Sequence, residues 1–139
     1  MPRSPQPRLG SAVVLTDDHG RVLLGVRAKE PNRGKWVLPG GKIETFESVS
    51  AAAQREMREE TGLLVEIDKI VAVREIINPP HEHRLIVFSQ GRVVGGSLAA
   101  SSDLDDVRFF DPAELPGLDL SDVVRDVLDE LGWLHQLAA

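Results

Sequence analysis

The sequence predicts one α/β domain in which a mixed β-sheet lies between two helices. The 139 residues suffice for one domain, and 42% hydrophobic and 27% charged residues are ordinary values for a globular protein. Short apolar runs and two helical patterns follow each other in the order β-β-β-α-β-β-β-α. This order is typical of a mixed sheet that is covered by a helix on each side.

Composition excludes several classes of protein. Residues 1–8 contain three prolines and two arginines and predict a flexible leader, so the domain should cover residues 9–139. The net charge of −6 argues against a general nucleic-acid binder. We expect neither a transmembrane helix nor a secretory signal, because no apolar run has the required length or position. The absence of cysteine excludes disulfides and thiolate chemistry and fits a reducing cytoplasm.

Three short strands are predicted before the first helix. Ala12–Leu15 and Val22–Val26 flank a turn of Asp, His and Gly and therefore predict a hairpin. Trp36–Leu38 follows a polar loop, and we expect this strand to stop at Pro39-Gly40-Gly41.

Two segments have helical character. Glu47–Thr61 is rich in alanine and charged residues and contains neither glycine nor proline, and Gly62 is the expected residue just past its end. Ser121–Leu134 repeats apolar residues at helical spacing, and Ser121 is a suitable N-cap.

The remaining strands are expected between the two helices. Asn78-Pro79-Pro80 should end the first of them, since proline cannot donate to a β-ladder. The predicted segments are Leu63–Val65 with Ile67–Ile77 as one or two strands, Arg84–Ser89 with Gly91–Val94 as its extension, and Val107–Phe110 before a short helical turn at Asp111-Pro112.

Three glutamates of the first helix indicate chemistry. Glu56, Glu59 and Glu60 are spaced i, i+3, i+4 and share one stripe of the helix, roughly 100° wide. Helix stability does not favour this arrangement, because like charges at this spacing cost about 0.2–0.5 kcal/mol per pair. A solvated acidic face is the ordinary alternative, and Arg55 offers Glu59 a local ion pair. Three carboxylates on one face are, however, the oxygen donors that Mg²⁺ or Mn²⁺ prefers.

The spacing of residues on both sides of these glutamates decides between a solvated acidic face and a metal site. Gly41, Glu47, Arg55-Glu56, Glu59-Glu60 and Gly62, with aliphatic Met57 and Leu63, resemble the Nudix box over residues 41–63. Seven such identities arise by chance in about 10⁻⁸ of windows. The segment around Trp36–Glu44 resembles the approach to this box in MutT-like Nudix hydrolases, and Asp103–Phe110 resembles the acidic turn before the family's last strand. Phe46 departs from the family, which often has Gly there, and predicts an altered loop with activity retained.

The resemblance implies a fold and a site. Nudix enzymes are α/β/α sandwiches in which the box forms a loop–helix–loop. Glu56, Glu59 and Glu60 match the metal ligands, and the carbonyl of Gly40 is expected to join them. Arg55 matches the residue that holds the carboxylates of the box. Glu47, at the helix start, is open to a chemical role or to stabilisation of the helix N-terminus.

Residues outside the box complete the expected site. Asp103 is a candidate general base or additional ligand, with a solvated turn as the alternative. Five basic residues precede or enter the box, of which Arg27 and Lys42 are expected to point at the metal end and bind substrate; they are Arg27, Lys29, Arg33, Lys35 and Lys42. His81 and His83 lack a third His or Cys ligand nearby, so their loop is expected to border the substrate rather than to bind zinc.

The sequence therefore predicts a Mg²⁺-dependent Nudix hydrolase, with Mn²⁺ as a substitute ion. The expected substrate is a nucleoside diphosphate linked to a moiety X, first of all a (d)NTP cleaved by a MutT-type pyrophosphohydrolase. ADP-ribose is the alternative substrate. Pro79 lies past the box at about the distance at which similar ADP-ribose pyrophosphatases have a proline. A catalytically silent, nucleotide-binding regulatory module is the hypothesis from another class. Neither nucleic acid nor a membrane is an expected partner, and a homodimer remains open.

Overall fold

The computed structural model describes residues 6–101 and 103–135. Within these residues the chain forms seven strands and two α-helices. The elements in order are β1 (Arg8–Thr16), β2 (Val22–Arg27), β3 (Trp36–Val37), β4 (Gly40–Lys42), α1 (Val49–Thr61), β5 (Leu63–Asn78), β6 (Glu82–Gly96), β7 (Leu104–Phe110) and α2 (Asp122–Glu130), with short 3₁₀ turns at Pro112–Gly117 and Trp133–His135. None of the described helices has the length and apolarity needed to cross a membrane.

The strands form one mixed sheet, as predicted. Its order is β3-β2-β1-β6-β5, while β4 pairs with β1 and β7 pairs with β2. β1 and β6 run parallel, and the other pairs are antiparallel. The end of β2, the start of β7 and β4 thereby come together near the start of β1.

A hydrophobic cluster lies on each face of the sheet. Alternate residues of β1 divide between them because successive side chains of a strand point to opposite faces. Ala12 and Val14 belong to the cluster that contains Val124 and Val127 of α2. Val13 and Leu15 belong to the other, with Ala53 and Met57 of α1. The predicted sandwich, with one helix on each face, is confirmed.

Several predicted boundaries are wrong, for local reasons. The first helix begins at Val49 rather than Glu47, because the Ser48 side chain caps it by accepting from the Ala51 N–H at 3.0 Å. The second ends at Glu130 rather than Leu134, since Gly132 has φ +85°. Leu131, Trp133 and Leu134 still pack against the core, which explains the helical spacing beyond the helix end.

Several strands are longer than predicted, although β3 ends one residue earlier, at Val37. β1 already begins at Arg8, inside the expected leader, of which residues 1–5 lie outside the described part of the chain. β5 is a single strand to Asn78, and β6 runs through both of its predicted pieces. The sequence predicts that a strand stops at Pro39-Gly40-Gly41, whereas Gly40–Lys42 forms β4 and pairs with Gly10–Ala12 of β1.

Candidate active site

Two glycines allow β4 to lie tightly between β1 and α1. A Cβ at Gly40 would overlap the carbonyl oxygen of Ser11 and the Cα of Ala12. A Cβ at Gly41 would overlap the carboxyl group of Glu56. The Glu56 carboxylate of α1 therefore lies directly against the β4 backbone, a contact that any larger residue at position 41 would push apart.

Arg55 joins the loop before α1 to the carboxylates of the helix. Its Nε and Nη2 donate to Oε2 and Oε1 of Glu47 at 2.8 and 3.0 Å. Nη1 donates to Glu56 Oε1 at 2.7 Å and, at 3.4 Å, to Glu59 Oε2. Nη2 also donates to the Lys42 carbonyl at 2.8 Å. Arg55 thus contacts two carboxylates of the helix, Glu56 and Glu59, and Glu47 contacts Arg55 from a position before the helix.

Glu60 is a buried carboxyl group at the centre of the site. The residue is only 5% exposed, and its Oε1 accepts from the Gly40 N–H at 3.0 Å. Burial, followed by the negative charges of Glu56 and Asp103, raises the pKa of Glu60 to about 8. The Gly40 hydrogen bond and the positive charge of Arg27 act in the opposite direction and compensate only in part.

Asp103, the residue before β7, acts electrostatically on this carboxyl group. Its Oδ1 lies 2.8 Å from Nζ of Lys29, and this hydrogen bond holds the pKa of Asp103 below its ordinary value. Arg27 acts electrostatically on both Asp103 and Glu60, while its Nε donates to the Pro31 carbonyl at 2.8 Å. The ionisation of Glu60 therefore depends on three segments of the chain, through the charges of Glu56, Asp103 and Arg27.

The carboxylates of the candidate site are not arranged around one common point in this structure. Among residues 6–101 and 103–135 no group of three or more Asp, Glu or His side chains is arranged to hold a metal ion. Glu56 and Glu59 are bound to Arg55, and Glu60 is bound to the Gly40 N–H. The donor set still fits a hard divalent cation, because its members are oxygen donors and because burial and the charges of Glu56 and Asp103 disfavour ionisation of Glu60 unless a cation is bound there.

Other predicted residues take more peripheral positions. The Lys42 side chain is exposed, and it is the carbonyl of Lys42 that contacts Arg55. His81 and His83 are exposed at the β5–β6 hairpin tip. Sequence reasoning did not single out Lys29 among the basic residues, because its partner Asp103 lies far along the chain; their proximity follows only from the pairing of β2 with β7.

Comparison with known proteins identifies the class to which this fold and site belong. The model of the NUDIX domain matches residues 6–131. The chain therefore belongs to the NUDIX family, as its box predicts, and is a hydrolase that acts on phosphorus-containing anhydrides. Members of this family generally use a divalent metal.

Individual relatives carry different names. The chain is 32% identical over 117 residues to the ADP-ribose pyrophosphatase of Methanocaldococcus jannaschii, covering 82% of this chain and 69% of that protein. It is 36% identical over 92 residues to the human 8-oxo-dGDP phosphatase NUDT18, covering 66% of this chain and only 27% of the relative. The crystal structure of a MutT NUDIX hydrolase from Burkholderia pseudomallei superposes with a TM-score of 0.81 at 30% identity, covering 90% of this chain and 98% of the other.

Proposed function

We propose that this chain is a Mg²⁺-dependent hydrolase of nucleoside diphosphate derivatives, with Mn²⁺ able to replace Mg²⁺. The observation that carries the proposal is Glu60, a carboxyl group with 5% exposure, whose pKa is raised to about 8 by burial and by the negative charges of Glu56 and Asp103. A protein gains no stability from such a cluster, whereas a divalent cation bound there would relieve its repulsion. Perturbed carboxyl groups of this kind are typical of functional sites.

The residues that would hold the cation are Glu56, Glu59, Glu60 and the carbonyl of Gly40. All four are hard oxygen donors, and they lie on β4 and on one side of α1. When bound, the cation would neutralise phosphate oxygens and acidify a nearby water molecule. Arg55 keeps Glu56 in place against Gly41 while the substrate enters.

The remaining polar residues account for proton transfer and substrate charge. Asp103 is the candidate general base: Lys29 binds its Oδ1, and Oδ2 would accept the proton of the attacking water. The water oxygen bonds to one phosphorus of the diphosphate, the bridging P–O bond breaks, and the leaving phosphate keeps the electron pair. Arg27 and Lys42 would contribute positive charge to the phosphates of an anionic substrate.

We expect a (d)NTP, including oxidised purine nucleotides, as the first substrate class. The GGKIE segment that precedes α1 is similar to the MutT-like enzymes, and the MutT structure above covers nearly the whole chain. ADP-ribose is the second candidate. It is favoured by Pro79 at the β5–β6 hairpin tip and by the name of the Methanocaldococcus jannaschii relative.

A hydrolysis screen tests the proposal. The purified chain is incubated with Mg²⁺ or Mn²⁺ and with dNTPs, oxidised dNTPs and dNDPs, ADP-ribose, nucleotide sugars and dinucleoside polyphosphates, and the products are separated by ion-exchange chromatography. Glu59→Gln serves as the inactive control. Nucleoside monophosphate plus pyrophosphate from a triphosphate supports the MutT-type reaction, and AMP plus ribose 5-phosphate supports the second candidate. Nucleotide binding without turnover of any compound would instead indicate the silent regulatory module.

A further inference from the structure

An ion pair joins the β2–β3 loop to the residue that precedes β7. Lys29 lies in the loop between β2 and β3, and its Nζ is 2.8 Å from Oδ1 of Asp103, which precedes β7. The two side chains are 68% and 45% exposed. Exposed pairs of this kind contribute only about 0–1 kcal/mol to folding, so the fold does not depend on this contact.

The backbone fixes where both partners lie. Arg27 of β2 is opposite Leu104 of β7, with a register shift between Val26 and Arg27. The Ala28 N–H then donates to the Asp103 carbonyl at 2.8 Å, which extends the strand pairing by one step. Lys29 and Asp103 are therefore held next to each other by the main chain before their side chains meet.

Arg27 shapes the loop that carries Lys29. Its Nε donates to the Pro31 carbonyl at 2.8 Å and to the Lys29 carbonyl at 3.3 Å. The guanidinium thus supports the loop backbone, and the ammonium of Lys29 is the cation that reaches the Asp103 carboxylate directly. The two basic residues have different tasks at the same edge of the site.

Without Lys29, electrostatic repulsion would favour rotation of the Asp103 side chain away from the candidate site. Its negative charge acts on the buried carboxyl group of Glu60, and like charges repel one another. Asp103 is also exposed enough to rotate into solvent. Lys29 offsets that repulsion with a positive charge next to Oδ1 of the carboxylate.

We infer that Lys29 is a positioning residue that holds the Asp103 carboxylate through Oδ1, so that Oδ2 can act on the attacking water. The inference rests on the proposed function, in which Asp103 takes part in hydrolysis. Lys29 affects turnover by positioning Asp103 and does not contact the substrate phosphates.

Kinetics of five variants test this assignment. Lys29→Met should lower kcat by about 10- to 10²-fold and leave KM within about threefold, because ground-state binding is not touched. Lys29→Arg should restore most of kcat. In an Asp103→Asn background, Lys29→Met should cost less than about twofold more, since residues that act through one contact are not additive. Lys69→Met, an exposed lysine of β5, is the matched control for the loss of one positive charge.

Three kinetic results would overturn the inference. An increase in KM at unchanged kcat for Lys29→Met would make Lys29 a phosphate-binding residue. Additive losses in the double variant would show that Lys29 does not act through Asp103. An Asp103→Asn enzyme with full turnover, while Glu59→Gln is inactive, would remove the role of Asp103 and of Lys29 but leave the proposed hydrolase intact.

A readout independent of turnover examines the pair itself. Ammonium ¹H–¹⁵N spectra of the metal-free protein should contain a Lys29 signal, identified by its loss in Lys29→Met, that shifts or broadens in Asp103→Asn but not in Asp105→Asn. A Lys29 signal that is insensitive to Asp103→Asn would overturn the inference. If the chain hydrolysed nothing in the screen, the proposed function and this role would both be wrong, even with the pair present.

Discussion

The guanidinium of Arg55 lies across the carboxylate of Glu47, with Nε and Nη2 at 2.8 and 3.0 Å from its two oxygens. This two-point contact joins the loop before α1 to the middle of the helix. The Arg55 hydrogen bond, supported by one from the Glu44 N–H, lowers the pKa of Glu47 to about 2. Glu47 therefore stabilises the folded loop as an anion.

Glu47→Gln should lower the melting temperature at neutral pH. The folded pKa of Glu47, about 2, lies below its ordinary value of 4.5, so its contribution is complete above about pH 4.5. That contribution disappears as the pH falls through about 2. The difference in Tm between wild type and Glu47→Gln, followed by circular dichroism, should thus be largest near neutral pH and shrink toward pH 2.

Glu44→Gln is the matched control for this prediction. Glu44 lies 4.0 Å from Arg55 and is 67% exposed, so its removal should change Tm little at any pH. Equal Tm profiles for the two variants would contradict a special role for the Glu47 contact.

Glu59→Gln and Glu60→Gln should each lower kcat by at least about 10²-fold, because each removes a ligand charge needed in the transition state. Steady-state kinetics with Mg²⁺ measure the loss, and circular dichroism should show an unchanged fold. Glu66→Gln, on β5, removes an exposed glutamate outside the site and should retain full turnover. Near wild-type activity in either box variant would remove the carboxylate from the proposed ligand set.

Glu60→Gln should at the same time stabilise the metal-free protein. The pKa of Glu60 in the fold, about 8, lies above its ordinary value of 4.5, so the cost of ionising this buried group grows as the pH rises from about 4.5 to 8. An amide carries no such cost and can still accept from Gly40. In EDTA we expect Tm to rise by about 3–8 °C at pH 9. The gain should vanish near pH 4.5, and a constant difference at all pH values would contradict the electrostatic origin.

The sequence predicts the helices and the box better than the sheet. Gly62 ends α1 with φ +76°, and Ser121 caps α2, because each is a local signal that one residue carries. β4 was missed, since Pro-Gly-Gly reads locally as a terminator. Its strand character depends on β1 at its side, where only a residue without a Cβ fits at Gly40.

The same distinction applies to the site. Arg55 and the three glutamates lie within one helix, so their shared face follows from the helical repeat. The burial of Glu60 and the Lys29–Asp103 contact depend on how β4, the β2–β3 loop and β7 meet. Those relationships join distant parts of the chain, and a pattern in one segment cannot contain them.

Asp103→Asn should lower kcat by about 10- to 10³-fold, within or just below the usual effect of losing a general base. Asp105→Asn is the control, because Asp105 shares the acidic turn but is exposed on β7. Asp106 is less suitable, as its carboxylate accepts from the Val107 N–H and binds Arg108. Equal small losses of kcat at positions 103 and 105 would show that this acidic turn is a solvated surface segment without a catalytic role.

Phe46→Gly should stabilise the protein and leave turnover unchanged. Phe46 has φ +66° and is fully exposed, at the third position of a turn closed by the Glu47 N–H and the Glu44 carbonyl at 3.0 Å. A left-handed backbone costs an L-residue about 1–2 kcal/mol, and glycine removes most of that strain at the cost of a more flexible unfolded chain. We expect a net gain of about 0.5–1 kcal/mol in urea unfolding. Phe46→Ala deletes the same aromatic ring without relieving φ, so it should show no such gain; equal stabilisation by both would mean that exposure of the ring, rather than the backbone, is what destabilises this loop.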